Sequence, residues 1–198
     1  MARQAALKEG RRQGQVDAFK RDLILKAARR VFAREGLDGA SLRAIAREAG
    51  YSPAALYFHY AGKEEIYGTL LSQSLAGLSE AVDAGRDGQS GAALAFFDYY
   101  DGNPRELEMG FYLFGGLRRA GLTKELDADL NKLLRGVLAI IEREMTDGGM
   151  PRKEAEHTTA ALFAHCVGLL ILKHTGRMGM FGLGARAQFL RYLDLLDF

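Results

Sequence analysis

The chain holds one cysteine, three prolines and no tryptophan in 198 residues. A lone Cys166 cannot form an intrachain disulfide, which argues against a stapled secreted fold and sets the cytoplasm as the expected location. A compact chain of this length buries roughly 70% of its extended surface, so no staple is required. The first eight residues, Met1 to Lys8, lack the apolar core of a signal peptide. Long apolar runs are also scarce. The longest, Ala160 to Leu172, is interrupted by His165 and is too short to cross a bilayer. It reads as a buried helix, and no membrane partner is expected. β-Branched residues are few: Val, Ile and Thr together number 17, far below Ala and Leu. Leu and Ala favour helix and β-branched residues favour strand. Pro53, Pro104 and Pro151 all stand where a helix can begin, the position at which a missing N–H costs nothing. The chain is therefore read as all-α. Its 48% hydrophobic and 26% charged content excludes global disorder.

The net charge of +2 conceals an asymmetry. Residues 1–63 carry 13 Lys and Arg against 6 Asp and Glu, whereas residues 64–198 carry 14 against 19. A basic first third joined to an acidic remainder points to one part that meets a polyanion and another that does not.

Three regions follow. Residues 1–16 carry Arg3, Lys8, Arg11 and Arg12 with Gly10, Gly14 and little apolar periodicity, and read as a flexible basic arm. Residues 17–63 hold the strongest helical patterns. Ile24, Ala27, Ala28, Val31 and Phe32 mark one face of a helix from Asp17 to Glu35, stopped by Gly36. Ser41 opens a second, with Leu42, Ile45, Ala46 and Ala49 on one face, and Gly50 closes it. Ser52-Pro53 starts a third, running to Tyr60. Residues 64–198 follow as a helical remainder, with helices expected at 63–84, 92–101, 104–120, 123–146, 151–175 and 185–196 and a flexible apolar loop over 176–184.

Leu42 to Tyr60 is helix, tight turn and helix, the spacing of a helix-turn-helix. The small side chains of Ala54 and Ala55 would let the second helix approach a groove closely, with Ser52 at its start. Tyr57 and His59 carry tips able to donate to phosphate oxygens. The helix N-terminus offers further N–H groups to anions.

These residues also carry a resemblance. Ala27-Ala28-Arg29-Arg30-Val31-Phe32-Ala33-Arg34-Glu35-Gly36, Ser41-Leu42-Arg43-Ala44-Ile45-Ala46-Arg47-Glu48-Ala49-Gly50-Tyr51-Ser52, Leu56-Tyr57-Phe58-His59-Tyr60 and Lys63-Glu64-Glu65-Ile66 occur in order and register. Together they resemble the DNA-binding domain of TetR-family repressors, over about a quarter of the chain. The resemblance implies contacts to phosphate from Ser41, Tyr57, His59 and Lys63, and a backbone or base contact from Arg43. Tyr60 stands where Phe is usual and Ala54 where Gly is frequent. The resemblance also implies a helical C-terminal domain that binds an effector and dimerises. The expected function is a ligand-responsive transcriptional regulator, a repressor, that binds a palindromic double-stranded operator as a homodimer and is released by a small molecule.

Phe96, Phe97, Tyr99, Tyr100, Phe111, Tyr112 and Phe114 fall on two neighbouring helices, beside Gly110, Gly115 and Gly116. Aromatic lining with missing volume suits a pocket for a small apolar or aromatic effector, with Phe96, Tyr100, Phe111, Phe114 and His165 as its candidate residues. The last two long helices are the expected dimer contact, through Leu162, Cys166, Leu169 and Leu170, through Phe163, Val167 and Ile171, and through Phe189, Leu190, Leu193 and Leu196. His157, His165, Cys166 and His174 share a helix without an i, i+4 pair, so no metal and no other cofactor is expected. The alternative reading is an all-α enzyme with an incidental helix-turn-helix. The sequence shows no phosphate loop, paired-ligand zinc motif or nucleophile elbow to support it, and no catalytic residue is assigned.

Overall fold

The computed structural model describes residues 2–86, 91–111 and 122–196, with side chains from Gly10 onward. Among the described residues there is no strand. The helices are α1 (Ala2–Gly39), α2 (Leu42–Ala49), α3 (Pro53–Tyr57), α4 (Lys63–Arg86), α5 (Gly91–Gly102), α6 (Pro104–Gly110), α7 (Lys124–Asp147), α8 (Arg152–His174) and α9 (Ala185–Leu196). A 3-10 turn, Arg177–Phe181, lies within the segment expected to be a loop. The described residues form two compact units, 2–70 with 122–124, and 71–111 with 125–196. The division falls inside α4 rather than at its start, the boundary expected from the sequence.

In the first unit, Ile24, Ala27, Ala28, Val31 and Phe32 of α1 are all buried. Ile45 and Ala46 of α2, Leu56 of α3, and Ile66, Tyr67 and Leu70 of α4 are buried as well. Phe32 meets Tyr67 edge to face with ring centroids 5.1 Å apart. The sequence placed the start of this helix near Asp17, with a flexible arm before it. The structure instead carries α1 back to Ala2. Residues 2–15 are rich in Ala, Arg, Gln, Lys and Leu and contain no β-branched residue, so intrinsic propensity favours helix where no apolar face exists. At the other end Gly36 has φ 68°, ψ 178°, a conformation costly for any side chain, and the helix kinks there.

In the second unit α5 is the central helix. Ala92, Ala93, Leu94, Phe96, Phe97 and Tyr100 are buried on it, and it packs on α6, α8 and α9. The first backbone N–H of its core face, on Ala92, donates to Glu144 of α7 at 2.9 Å, a cap supplied 52 residues away. The expected helix over 104–120 ends at Gly110 as α6, and the rest lies outside the described residues.

α8, Arg152–His174, follows the helix expected over 151–175. By length and composition it is the one described helix able to cross a membrane. Its buried stripe is Ala155, Thr159, Leu162, Cys166, Leu169 and Leu170, and the rest of the helix is half-buried or exposed. Of the residues expected at the dimer contact, Leu162, Cys166, Leu169, Leu170 and Phe189 are buried within the chain, whereas Phe163, Val167, Ile171, Leu190, Leu193 and Leu196 are half-buried.

Candidate nucleic-acid interface

The second helix of the first unit is set by its ends. Ser41 has extended φ and ψ, and its Oγ accepts from the backbone N–H of Ala44 at 3.1 Å. At the far end Gly50 is left-handed (φ 74°, ψ 26°), and its N–H returns to the Ala46 and Arg47 carbonyls. Ser52 repeats the device on α3, where its Oγ accepts from Ala55 N–H at 3.2 Å and Pro53 follows at the first helical position. In each serine the cap uses an oxygen lone pair. The hydroxyl hydrogen remains available for a second acceptor, so capping and phosphate contact are compatible.

The outward face of this pair is built from the residues singled out by sequence. Ser41, Arg43, Ser52 and Ala54 are exposed, and Ala55 is half-buried. Leu56 is the anchor, fully buried beneath α3. α3 ends at Tyr57 rather than Tyr60, and the following turn changes direction. Tyr57 and Phe58 consequently project outward, 62% and 87% exposed, while Tyr60 returns to the core. His59 is half-buried and shares a groove with Asp17 and Arg21 of α1. Phe58 is the residue that the sequence reading did not assign. The early end of α3 at Tyr57 exposes it.

Two ionic devices hold the face on α1. Glu48 of α2 receives Arg30 Nε at 2.7 Å and an Arg34 guanidinium nitrogen at 3.3 Å. The Arg30 hydrogen bond, reinforced by Arg34, holds the Glu48 carboxyl below its usual range. Lys63 is placed differently from expectation. Its ammonium donates to the carbonyls of Leu37 at 2.8 Å, Asp38 at 3.1 Å and Ala40 at 2.9 Å. An ammonium has three protons, so all of them are engaged at the end of α1. In this conformation Lys63 presents nothing to a phosphate. It positions the α1–α2 connection.

In the second unit the structure brings together three of the five candidate effector residues. Phe96 and Tyr100 are fully buried and meet edge to face at 5.2 Å. Phe111 lies 6.3 Å from Tyr100 and 5.7 Å from Phe163 of α8. Burial pushes the Tyr100 hydroxyl well above the ordinary tyrosine range. Phe114, Gly115 and Gly116 lie outside the described residues. At Gly110 the missing side chain leaves little room, because an added Cβ would already meet the Tyr100 hydroxyl at 3.6 Å and Leu71 at 3.8 Å. His165 stands apart from this cluster. Its ring lies 4.2 Å from Tyr192 and 6.4 Å from Phe189, both on α9, and burial lowers its proton affinity. Its Nε2 is buried and has no hydrogen-bond partner among the described residues.

Residues 24–70 match the family model described as bacterial regulatory proteins, tetR family. The chain is 34% identical over 65 residues to the HTH-type transcriptional repressor AcnR of Corynebacterium diphtheriae, covering 33% of this chain and 34% of AcnR. It is 30% identical over 89 residues to the HTH-type transcriptional repressor SCO4008 of Streptomyces coelicolor, covering 45% of this chain and 46% of that protein. The match thus spans a third to a half of these relatives. Across nearly the whole chain the fold is similar to the transcriptional regulator FadR from Bacillus subtilis in complex with stearoyl-CoA, with a TM-score of 0.66, 20% identity and coverage of 88% of this chain and 96% of FadR.

Proposed function

The chain belongs to the TetR family of bacterial regulatory proteins, and from that membership we propose that it is a cytoplasmic transcriptional repressor rather than an enzyme. The carrying observation is the solvent-facing set Ser41, Arg43, Ser52, Ala54 and Tyr57 around two short capped helices, with the large apolar residues of both helices turned inward. Phosphate contacts would come from the serine hydroxyls, Tyr57 and His59, and base contacts from the early turns of α3. A homodimer would set two copies of α3 about 34–36 Å apart on a palindromic operator.

With Leu162 and its neighbours in the core, pairing of α8 and α9 with their copies falls to their remaining faces. On α8 these carry Ala160, Ala161 and Ala164, small enough for close approach, and on α9 the 73%-exposed Leu195. The effector region is the aromatic cluster of Phe96, Tyr100 and Phe111. Its character suits a small apolar or aromatic molecule. The acyl-CoA bound to the structurally similar FadR makes acyl-CoAs the first class to test. An effector releases DNA only if it binds the DNA-free geometry more tightly than the bound one.

The test is selection of duplexes from random sequence, footprinting of the selected site, and titration of the complex with acyl-CoAs and aromatic acids. A palindromic footprint with half-sites one helical turn apart, lost on adding one ligand class, is the expected result. Failure to enrich any sequence would overturn the reading.

A further inference from the structure

α1 continues about five turns beyond the packed part of the first unit. From Gly10 to Asp22 no residue of it is buried, and the first buried side chain is Ile24. A helix that packs on nothing is marginal in water, and Gly10 and Gly14 weaken it by roughly 1 kcal/mol each relative to Ala. Its charge is one-sided. Residues 2–21 carry Arg3, Lys8, Arg11, Arg12, Lys20 and Arg21 against Glu9 and Asp17. The cations nearer the core are engaged: Lys26 by Asp22, Arg30 and Arg34 by Glu48, and Lys63 by three carbonyls. Arg11, Arg12 and Arg21 have no ion-pair partner among the described residues. Along one side of the extension Gly14, Asp17, Ala18 and Arg21 face Phe58 and His59 across an open groove of about 460 Å³. The extension therefore borders the end of the recognition helix.

We propose that this extension is a second DNA-binding element, which lies along the phosphate backbone beside the major groove entered by α3. The inference rests on the DNA-binding reading and deepens it. Arg21 and His59 flank the groove nearest α3, and the two glycines on the same side of the helix let a sugar-phosphate strand approach. Arg11 lies about 15 Å further along the axis at 1.5 Å per residue. Successive phosphates of one strand advance about 3.4 Å along the duplex axis, so the extension can follow several. A second copy of the extension is a poorer occupant, because two surfaces of the same positive sign repel. Asp17 is the one carboxylate in the groove, and it opposes a phosphate there.

The test is binding of the full-length chain to a mixed-sequence duplex across a salt series. The variants are Arg11→Gln with Arg12→Gln, Arg21→Gln and Asp17→Asn, with Tyr57→Ala as the comparison. Each lost phosphate contact should lower the slope of log K against log salt by about 0.9. The double arginine variant and Arg21→Gln should weaken binding and flatten the slope, and Asp17→Asn should tighten binding severalfold. Wild-type slope and affinity in all three, with weaker binding by Tyr57→Ala, would overturn the extension's role and leave the helix-turn-helix reading standing. Weaker binding with an unchanged slope would also overturn it, since the arginines would then act through the fold. No binding by the wild-type chain would overturn both.

Discussion

The ammonium of Lys63, at the first position of α4, donates to the carbonyl of Ala40 at 2.9 Å, 23 residues earlier in the chain. The same nitrogen holds the Leu37 and Asp38 carbonyls. These oxygens lie at the end of α1, where carbonyls lack helical partners and carry partial negative charge. The contact fixes the connection that delivers Ser41 to its capping position.

Lys63→Met should therefore destabilise the protein by about 1–3 kcal/mol, the cost of leaving part-buried acceptors unmade. It should leave the salt dependence of DNA binding unchanged. Urea denaturation with a duplex-binding salt series measures both. Stability equal to wild type, with a slope lowered by about 0.9, would assign Lys63 to a phosphate instead.

The serine caps separate by a paired substitution. Ser52→Ala should cost about 1 kcal/mol of stability, whereas Ser52→Gly should cost only a few tenths, because glycine is itself tolerated at that position. Both remove the hydroxyl. If it reaches a phosphate, both variants bind DNA more weakly by a similar factor despite their different stabilities. Parallel thermal melts and binding curves check this.

Glu48 links stability to pH. Its carboxyl is held below the ordinary range in the folded chain by Arg30 and then Arg34. A depressed folded-state pKa adds stability that is present above the unfolded value, near 4.5, and lost as pH falls through the folded value. Glu48→Gln should be less stable than wild type at neutral pH, and the two should converge in acid below both values. A constant difference across the acid titration would show that the ion pair is not the source.

The ends of the short helices were legible because capping is local chemistry: Ser41, Gly50 and Ser52 each act within a few residues. The core of the first unit was legible because Ile24, Ala27, Ala28, Val31 and Phe32 repeat with the helical period. Lys63 was not, since its partners are carbonyls brought near only by folding, and a carbonyl leaves no trace in residue type. The start of α1 was missed because apolar periodicity reports packing rather than helix, and this segment packs on nothing within its unit. The apolar stripes of α8 were read as a dimer surface because sequence shows that a face is apolar without showing what covers it. His165 joined the effector set by being a polar residue in an apolar run. Its contacts to Phe189 and Tyr192 depend on a helix whose placement sequence does not give.

The central claim is that the exposed edge of α2 and α3 meets duplex DNA, with Tyr57 supplying position and the early turns of α3 supplying sequence choice. The direct measurement is affinity for a selected operator and for a mixed-sequence duplex, compared among wild type, Tyr57→Phe and Ala54→Gln. Removal of the Tyr57 hydroxyl should weaken both affinities by the same factor and leave their ratio unchanged, as expected for a phosphate contact. Ala54→Gln should change the ratio by roughly 1–3 kcal/mol per affected base pair. Affinities untouched by Tyr57→Phe and a ratio untouched by Ala54→Gln would contradict the account, because the DNA would then lie elsewhere on the protein.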